Sequence, residues 1–391
     1  VYIYTDINKL LSVLDRQGLT NEDIGSKVIL HNNKKIIYYH LDTDRTSIRN
    51  IANSISNINE DICIDLSLLN IEQKSVLCQY ISKYIYKNTK YKFVKENISF
   101  IDILLYDRLK FKGFLIDIIN QIKCADITRN LQNEPSCKLY PEIFANKVKH
   151  IFNKQKDVNV IVYNERQITQ RNLDVIMSVG MGSNQPPRFV IIEYVKDTTL
   201  PYICLIGKSI ILQSSNNNEL QCEINNSKSG GCVVCGVIKH FSKYNNRMNC
   251  NIIGILPIMQ SSSSNDIYSN NTDDDFFILS DTFTYIEQYH PKYVFYFSTR
   301  SEESVPCDII TNILCKNQSL RNRVKNIGEK IGEKVRYNAL DTNILNFVPN
   351  TIINSFVCFD IKNNQNDEYL IGNGVSIGIN LIKDLFRTRR L

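Results

Sequence analysis

The sequence has no tryptophan, and only five histidines and four methionines among 391 residues. The histidines (His31, His40, His150, His240 and His290) stand apart, without the i, i+4 or paired spacing that a histidine metal site or a catalytic triad needs. No apolar run reaches the roughly 20 residues of a membrane-spanning helix. No basic stretch followed by an apolar one opens the chain, and its first residue, Val1, leaves room for a missing N-terminal piece. The glycine motifs of nucleophile elbows, P-loops and dinucleotide folds are absent, so those enzyme classes gain no support. The twelve cysteines lack regular spacing, which points to a reducing compartment rather than a disulfide framework. Cys232 and Cys235 form a single C-x-x-C, with Cys222 and Cys250 not far off in sequence. A zinc site would need a second pair, so core thiols are the expectation. The net charge of +6 is dispersed, and only Arg387, Arg389 and Arg390 cluster, at the C-terminus. No basic stripe marks a nucleic-acid surface.

What is present is an ordinary globular composition, 43% hydrophobic and 22% charged, in a chain long enough for two domains. Residues 1 to about 105 alternate apolar strands (27–30, 35–39, 62–66) with amphipathic helices (46–57, 71–86) and carry nothing chemical. Residues 110–134 are too densely apolar for an exposed helix, and Pro141 suits the first turn of a helix ending at 152. Farther on, strands are expected at 189–194, 202–206, 251–259 and 293–298, with helices at 281–289, 320–335 and 379–386. Residues 260–275 read as a Ser/Asn/Asp-rich loop.

The most informative stretch runs from Met177 to Asn218. Turn glycines Gly180 and Gly182 precede one strand. The next, 202–206, is wholly apolar and ends in Gly207-Lys208. Such a strand is covered on both faces, and a lysine just past its end sits where ligands collect in α/β sheets. Val179-Gly180-Met181-Gly182-Ser183, Pro186-Pro187-Arg188 and Ile206-Gly207-Lys208 together resemble the leucine (cytosol) aminopeptidase family. Thr128-Arg129-Asn130-Leu131, Ser229-Gly230-Gly231 and Ile371-Gly372-Asn373-Gly374 extend the resemblance over about residues 110–385.

The resemblance implies an α/β protein of two domains: a small N-terminal α/β domain (1–108), a linker helix (109–135), and a larger domain (136–391) with a central mixed sheet of the leucine-aminopeptidase type. The strand that the family places after a helix matching 379–386 has no counterpart before Leu391, so a truncated sheet is expected. The family holds two divalent ions, zinc or manganese, with a lysine, three aspartates and a glutamate, beside a catalytic lysine and an arginine. On this chain the metal-binding lysine falls on Lys208. The bridging aspartate falls on Gln213, the catalytic lysine on Leu220 and the next aspartate on Ser227. The remaining aspartate, glutamate and arginine fall on Thr272, Asp274 and Phe276. A slip of one residue moves them to Asp273, Asp275 and Phe277. A neutral amide bridges two cations poorly.

The resemblance therefore implies a catalytically inactive member with no catalytic residue, no cofactor and only vestigial metal-site positions. Asp273, Asp274 and Asp275 read as the acidic first turn of a helix, with a residual cation site as the other reading. Without metals, Lys208 is expected to regain its proton and to lie against one of these aspartates or reach solvent. The expected role is structural, in a homo-oligomer (hexameric in the family) or a larger assembly, in the cytoplasm or mitochondrial matrix. A divergent two-metal leucyl aminopeptidase and a nucleic-acid-binding protein on the same fold stand beside it as alternatives.

Overall fold

The structure, a computed structural model, describes residues 2–4, 28–31, 34–40, 45–56, 62–65, 69–85, 101–104, 108–212, 226–244, 248–261, 272–300, 311–337, 343–362 and 372–386. It falls into two compact units, and the division lies between Ile122 and Lys123, inside a long helix. Lys330–Gly332 group with the first unit.

The first unit holds strands β1 (Tyr2–Tyr4), β2 (Val28–His31), β3 (Lys34–His40), β4 (Ile62–Asp65) and β5 (Ile101–Leu104) in the order β2-β3-β1-β4-β5. Helices α1 (Arg45–Ser56) and α2 (Ile71–Ile85) pack together. Their apolar sides supply Ile48, Ile51, Ile55, Leu77 and Ile81, which share one core with Ile64 of β4. The long helix is α3 (Arg108–Gln132), where apolar density predicted 110–134.

The second unit is built on a nine-stranded mixed sheet. Its strands are β6 (Val158–Tyr163), β7 (Arg188–Tyr194), β8 (Tyr202–Gly207), β9 (Ser209–Leu212), β10 (Asn251–Ser261), β11 (Tyr293–Arg300), β12 (Thr311–Leu314), β13 (Val335–Tyr337) and β14 (Phe356–Lys362). Their order is β13-β12-β14-β11-β8-β10-β7-β6, with β9 beside β10. The four central strands β14, β11, β8 and β10 run parallel, and antiparallel neighbours flank them. In β8, Ile203 to Gly207 are all buried, as a strand covered on both faces requires.

Helices α4 (Pro141–Phe152) and α7 (Ser229–Tyr244) cover one face of the sheet, and α11 (Val375–Phe386) packs on α7. On that side Phe297 stacks on Phe359 at 5.0 Å. Helices α5 (Glu165–Gln170), α6 (Asp174–Gly180), α8 (Thr272–Ile286), α9 (Gln318–Ile331) and α10 (Asn343–Phe347) complete the set. α6, α8 and α10 put Ile176, Ile278, Phe283 and Ile344 into one core with Ile206, Ile255, Tyr296 and Phe356. The Asp281 carboxylate of α8 accepts from the opening amides of α6, Val175 at 2.9 Å and Ile176 at 3.0 Å. That caps α6 from a neighbouring helix and holds the two together.

Two sequence expectations shift. The helix expected at 281–289 begins at Thr272, so the polar loop is shorter than 260–275, and β10 runs on to Ser261. Three carboxylates at a helix start favour the dipole, and this outweighs the loop-like composition around them. The helix expected at 320–335 stops at Ile331, because Gly332 adopts a positive φ of 78° and Val335 opens an edge strand. Among the described residues no helix is long and apolar enough to cross a membrane.

Candidate functional site

The site forms at the C-terminal ends of the parallel strands. β8 ends at Gly207, and the Lys208 amide donates to the Phe297 carbonyl of β11 at 2.9 Å. The Lys208 carbonyl accepts from Gly231 in the first turn of α7, again at 2.9 Å. Lys208 is thus pinned by backbone between two neighbours, and its half-buried side chain borders a pocket with Ile206, Met259, Ile278, Leu279 and Tyr296. The walls of this pocket are apolar.

A short turn, Asn226–Lys228, leads into α7 and packs against β9 and β11. It brings Ser227 to the edge of the site, followed by Lys228, which is fully buried. The Lys228 ammonium donates to the Glu134 carbonyl at 2.9 Å, and the Glu134 carboxylate pairs with Lys147 at 2.7 Å. Burial lowers the Lys228 ammonium to about 8, while Cys232 and Glu134 act in the opposite direction.

Thr272 to Phe276 lie in the first turns of α8. Their side chains, with those of Gln213 and Leu220, are outside what the structure describes, and so is the expectation that Lys208 meets one of the aspartates. The sheet adds one carboxylate that sequence reasoning missed. In the β11–β14 register Ser298 stands opposite Asp360. Continuing the pairing of Phe297 with Gly207 puts Lys208 level with Ser298. Asp360, 7% exposed, therefore sits about 10 Å from Lys208 between Cα atoms, two strand spacings away in the same row. The signal was a lone aspartate near the end of an otherwise apolar strand, Phe356-Val357-Cys358-Phe359-Asp360.

Cys232 and Cys235 on α7 are buried free thiols, and so are Cys124 on α3, Cys204 on β8 and Cys250 just before β10. Burial pushes the Cys232 thiol up to about 12, which makes it inert at neutral pH. Cys137 is disulfide-bonded, where the cysteine spacing pointed to a reducing compartment rather than a disulfide framework. His240 is buried on α7 against the Phe241 ring, a core histidine.

Residues 126–369 match the catalytic domain of the cytosol aminopeptidase family. The chain belongs to the cytosol aminopeptidase family. Among its relatives is a protein of Blochmanniella floridana named "Probable cytosol aminopeptidase". It is 28% identical over 292 residues, covering 66% of this chain and 56% of that protein. The "Probable cytosol aminopeptidase 1" of Shewanella oneidensis is 25% identical over 233 residues, covering 54% and 46%. The chain thus spans about half the length of these curated relatives. Among solved structures, the bottromycin maturation enzyme BotP shares the fold with a TM-score of 0.74 and 14% identity over 96% of both chains.

Cytosol aminopeptidases work with two metal ions. Two adjacent divalent cations need several anionic oxygens around them. At the site the described residues supply the Lys208 amine, the Ser227 hydroxyl and, two strands away, the Asp360 carboxylate, with a second lysine, Lys228, next to Ser227 in sequence. No group of three or more His, Cys, Asp or Glu side chains that could hold a metal occurs among the described residues. Among the described residues that donor set supplies too few anionic oxygens for two metal ions, and the side chains of Asp273, Asp274 and Asp275 lie outside those residues.

Proposed function

We propose that this chain is a catalytically inactive cytosol aminopeptidase-like protein with a structural role inside the cell, in the cytoplasm or the mitochondrial matrix. Its partners would be further copies of itself or other subunits of a larger assembly. The observation that carries this reading is the charge around Ser227. The family places an aspartate there to hold metal, whereas this chain has a hydroxyl followed by a buried lysine. A hydroxyl offers no anionic oxygen to a metal ion, and Gln213 and Leu220 stand where the family has a bridging carboxylate and the catalytic amine. The framework that positions such a site persists without the groups that perform the chemistry, and a fold kept in that way is useful for its surfaces.

The names of the relatives support a second reading, a divergent aminopeptidase with a rebuilt site. Turnover decides between them. With manganese or zinc and a leucyl substrate, the purified chain is expected to release no product above a metal-only control. Gln213→Asp or Leu220→Lys alone is expected to leave that unchanged, because catalytic groups that act as a unit are strongly non-additive. Chelator-sensitive turnover in the unaltered chain would establish the second reading instead. For the structural role, light scattering at micromolar concentration is expected to show an oligomer or a stable hetero-complex. A partner-free monomer would contradict it.

A further inference from the structure

Helix α11 begins inside the protein: Val375 and Ile377 are fully buried and Ser376 is 7% exposed. The opening amides of an α-helix have no acceptor within the helix, so a cap, water or a ligand must meet them. Here the Gly378 amide bonds the Gly374 carbonyl at 3.0 Å, while none of the hydrogen bonds among the described residues comes from the amides of Gly374, Val375, Ser376 or Ile377. Gly374, at the cap position, has no side chain to offer an oxygen.

A second observation points to the same place. Asn373, immediately before Gly374, is 1% exposed, and neither its Oδ1 nor its Nδ2 has a hydrogen-bond partner among the described residues. Buried polar side chains are nearly always paired, so one orphaned at both atoms calls for a partner. Among the described residues the unmet groups here are the helix amides, the Asn373 amino group and a single amide oxygen, so unmet donors outnumber unmet acceptors. The neighbours add positive potential. The Gly372 amide is held by Gln132 Oε1 at 2.8 Å, and the buried Arg129 lies against Gly372, its Nε 2.8 Å from where a Cβ would stand. Arg129 is itself paired with Asp126 at 2.6 Å. A helix start with unmet amides and a nearby guanidinium favours negative charge.

We propose that Asn373 and the first turn of α11 form a binding site for one small inorganic anion, a halide or a small oxyanion. The test is thermal unfolding of the full chain at constant ionic strength, titrating chloride, phosphate and bicarbonate separately. One of them is expected to raise Tm saturably, by about 5 °C at a hundred-fold excess over Kd. Asn373→Asp puts a carboxylate at the donors and is expected to abolish the saturable rise. A shift that is linear in salt, or equal in Asn373→Asp, overturns the proposal. Should that variant fail to fold, calorimetric titration of the unaltered chain decides: one anion bound per chain supports the site, and no anion bound overturns it.

Discussion

Gly230→Ala is expected to cost about 3–5 kcal/mol, a large share of a usual stability of about 5–15 kcal/mol. A Cβ at Gly230 would run into the Phe297 carbonyl oxygen and stand 2.7 Å from the Lys208 amide nitrogen. Both are backbone atoms of the central sheet, and they already bond each other at 2.9 Å. Overpacking against a side chain costs about 1–3 kcal/mol because the side chain moves aside. Here relief requires shifting β8 from β11, or lifting the start of α7 off both. Urea unfolding followed by circular dichroism checks this. A variant within about 0.5 kcal/mol of the unaltered chain would show that α7 does not approach the sheet this closely.

Lys228→Met is expected to stabilise the protein by about 2 kcal/mol near neutral pH. The ammonium is fully buried and its proton affinity is lowered to about 8 from an ordinary 10.5. A shift of that size corresponds to about 3 kcal/mol of unfavourable burial of the charged form. Among the described residues the variant loses the hydrogen bond to the Glu134 carbonyl, about 1 kcal/mol, while Glu134 keeps Lys147. The pH dependence gives a second signature. Between pH 8 and 10.5 the unfolded chain holds the proton and the folded chain has lost it, so the unaltered protein gains stability as pH rises through this window. The advantage of Lys228→Met should therefore shrink from pH 8 to 10.5. A destabilised variant, or a difference constant with pH, would mean that Lys228 is charged at no cost.

Much of the site's scaffold was legible because backbone packing dictates residue type. Gly207-Lys208 and Gly230-Gly231 stand out in the sequence for the reason they matter in the fold: α7 comes so close to the sheet that a Cβ has no room. The helix ending at Gln132 was legible from apolar density, and β8 from its unbroken apolar run. What escaped notice was short or locally ambiguous. β6, β12, β13 and β14 are runs of three to seven residues, and their register comes from neighbours distant in sequence. Asp360 became part of the site only once β14 was placed beside β11. Residues 272–275 fell within the stretch read as loop because Asn, Asp and Ser crowd around them, while the reading of Asp273, Asp274 and Asp275 as the acidic first turn of a helix agrees with the helix that starts at Thr272. Lys228 gave no sign in sequence of being buried, since its environment is made by Glu134 and Cys232 from separate elements.

The most direct test of the central claim is calorimetric titration of the full chain with manganese and with zinc, run beside a leucyl-substrate assay on the same preparation. On the reading proposed here, in which Gln213 and Ser227 stand where the family has metal-binding carboxylates, the chain should bind neither ion saturably and should release no leucine. Two ions bound per chain, with product release that a chelator abolishes, would contradict it.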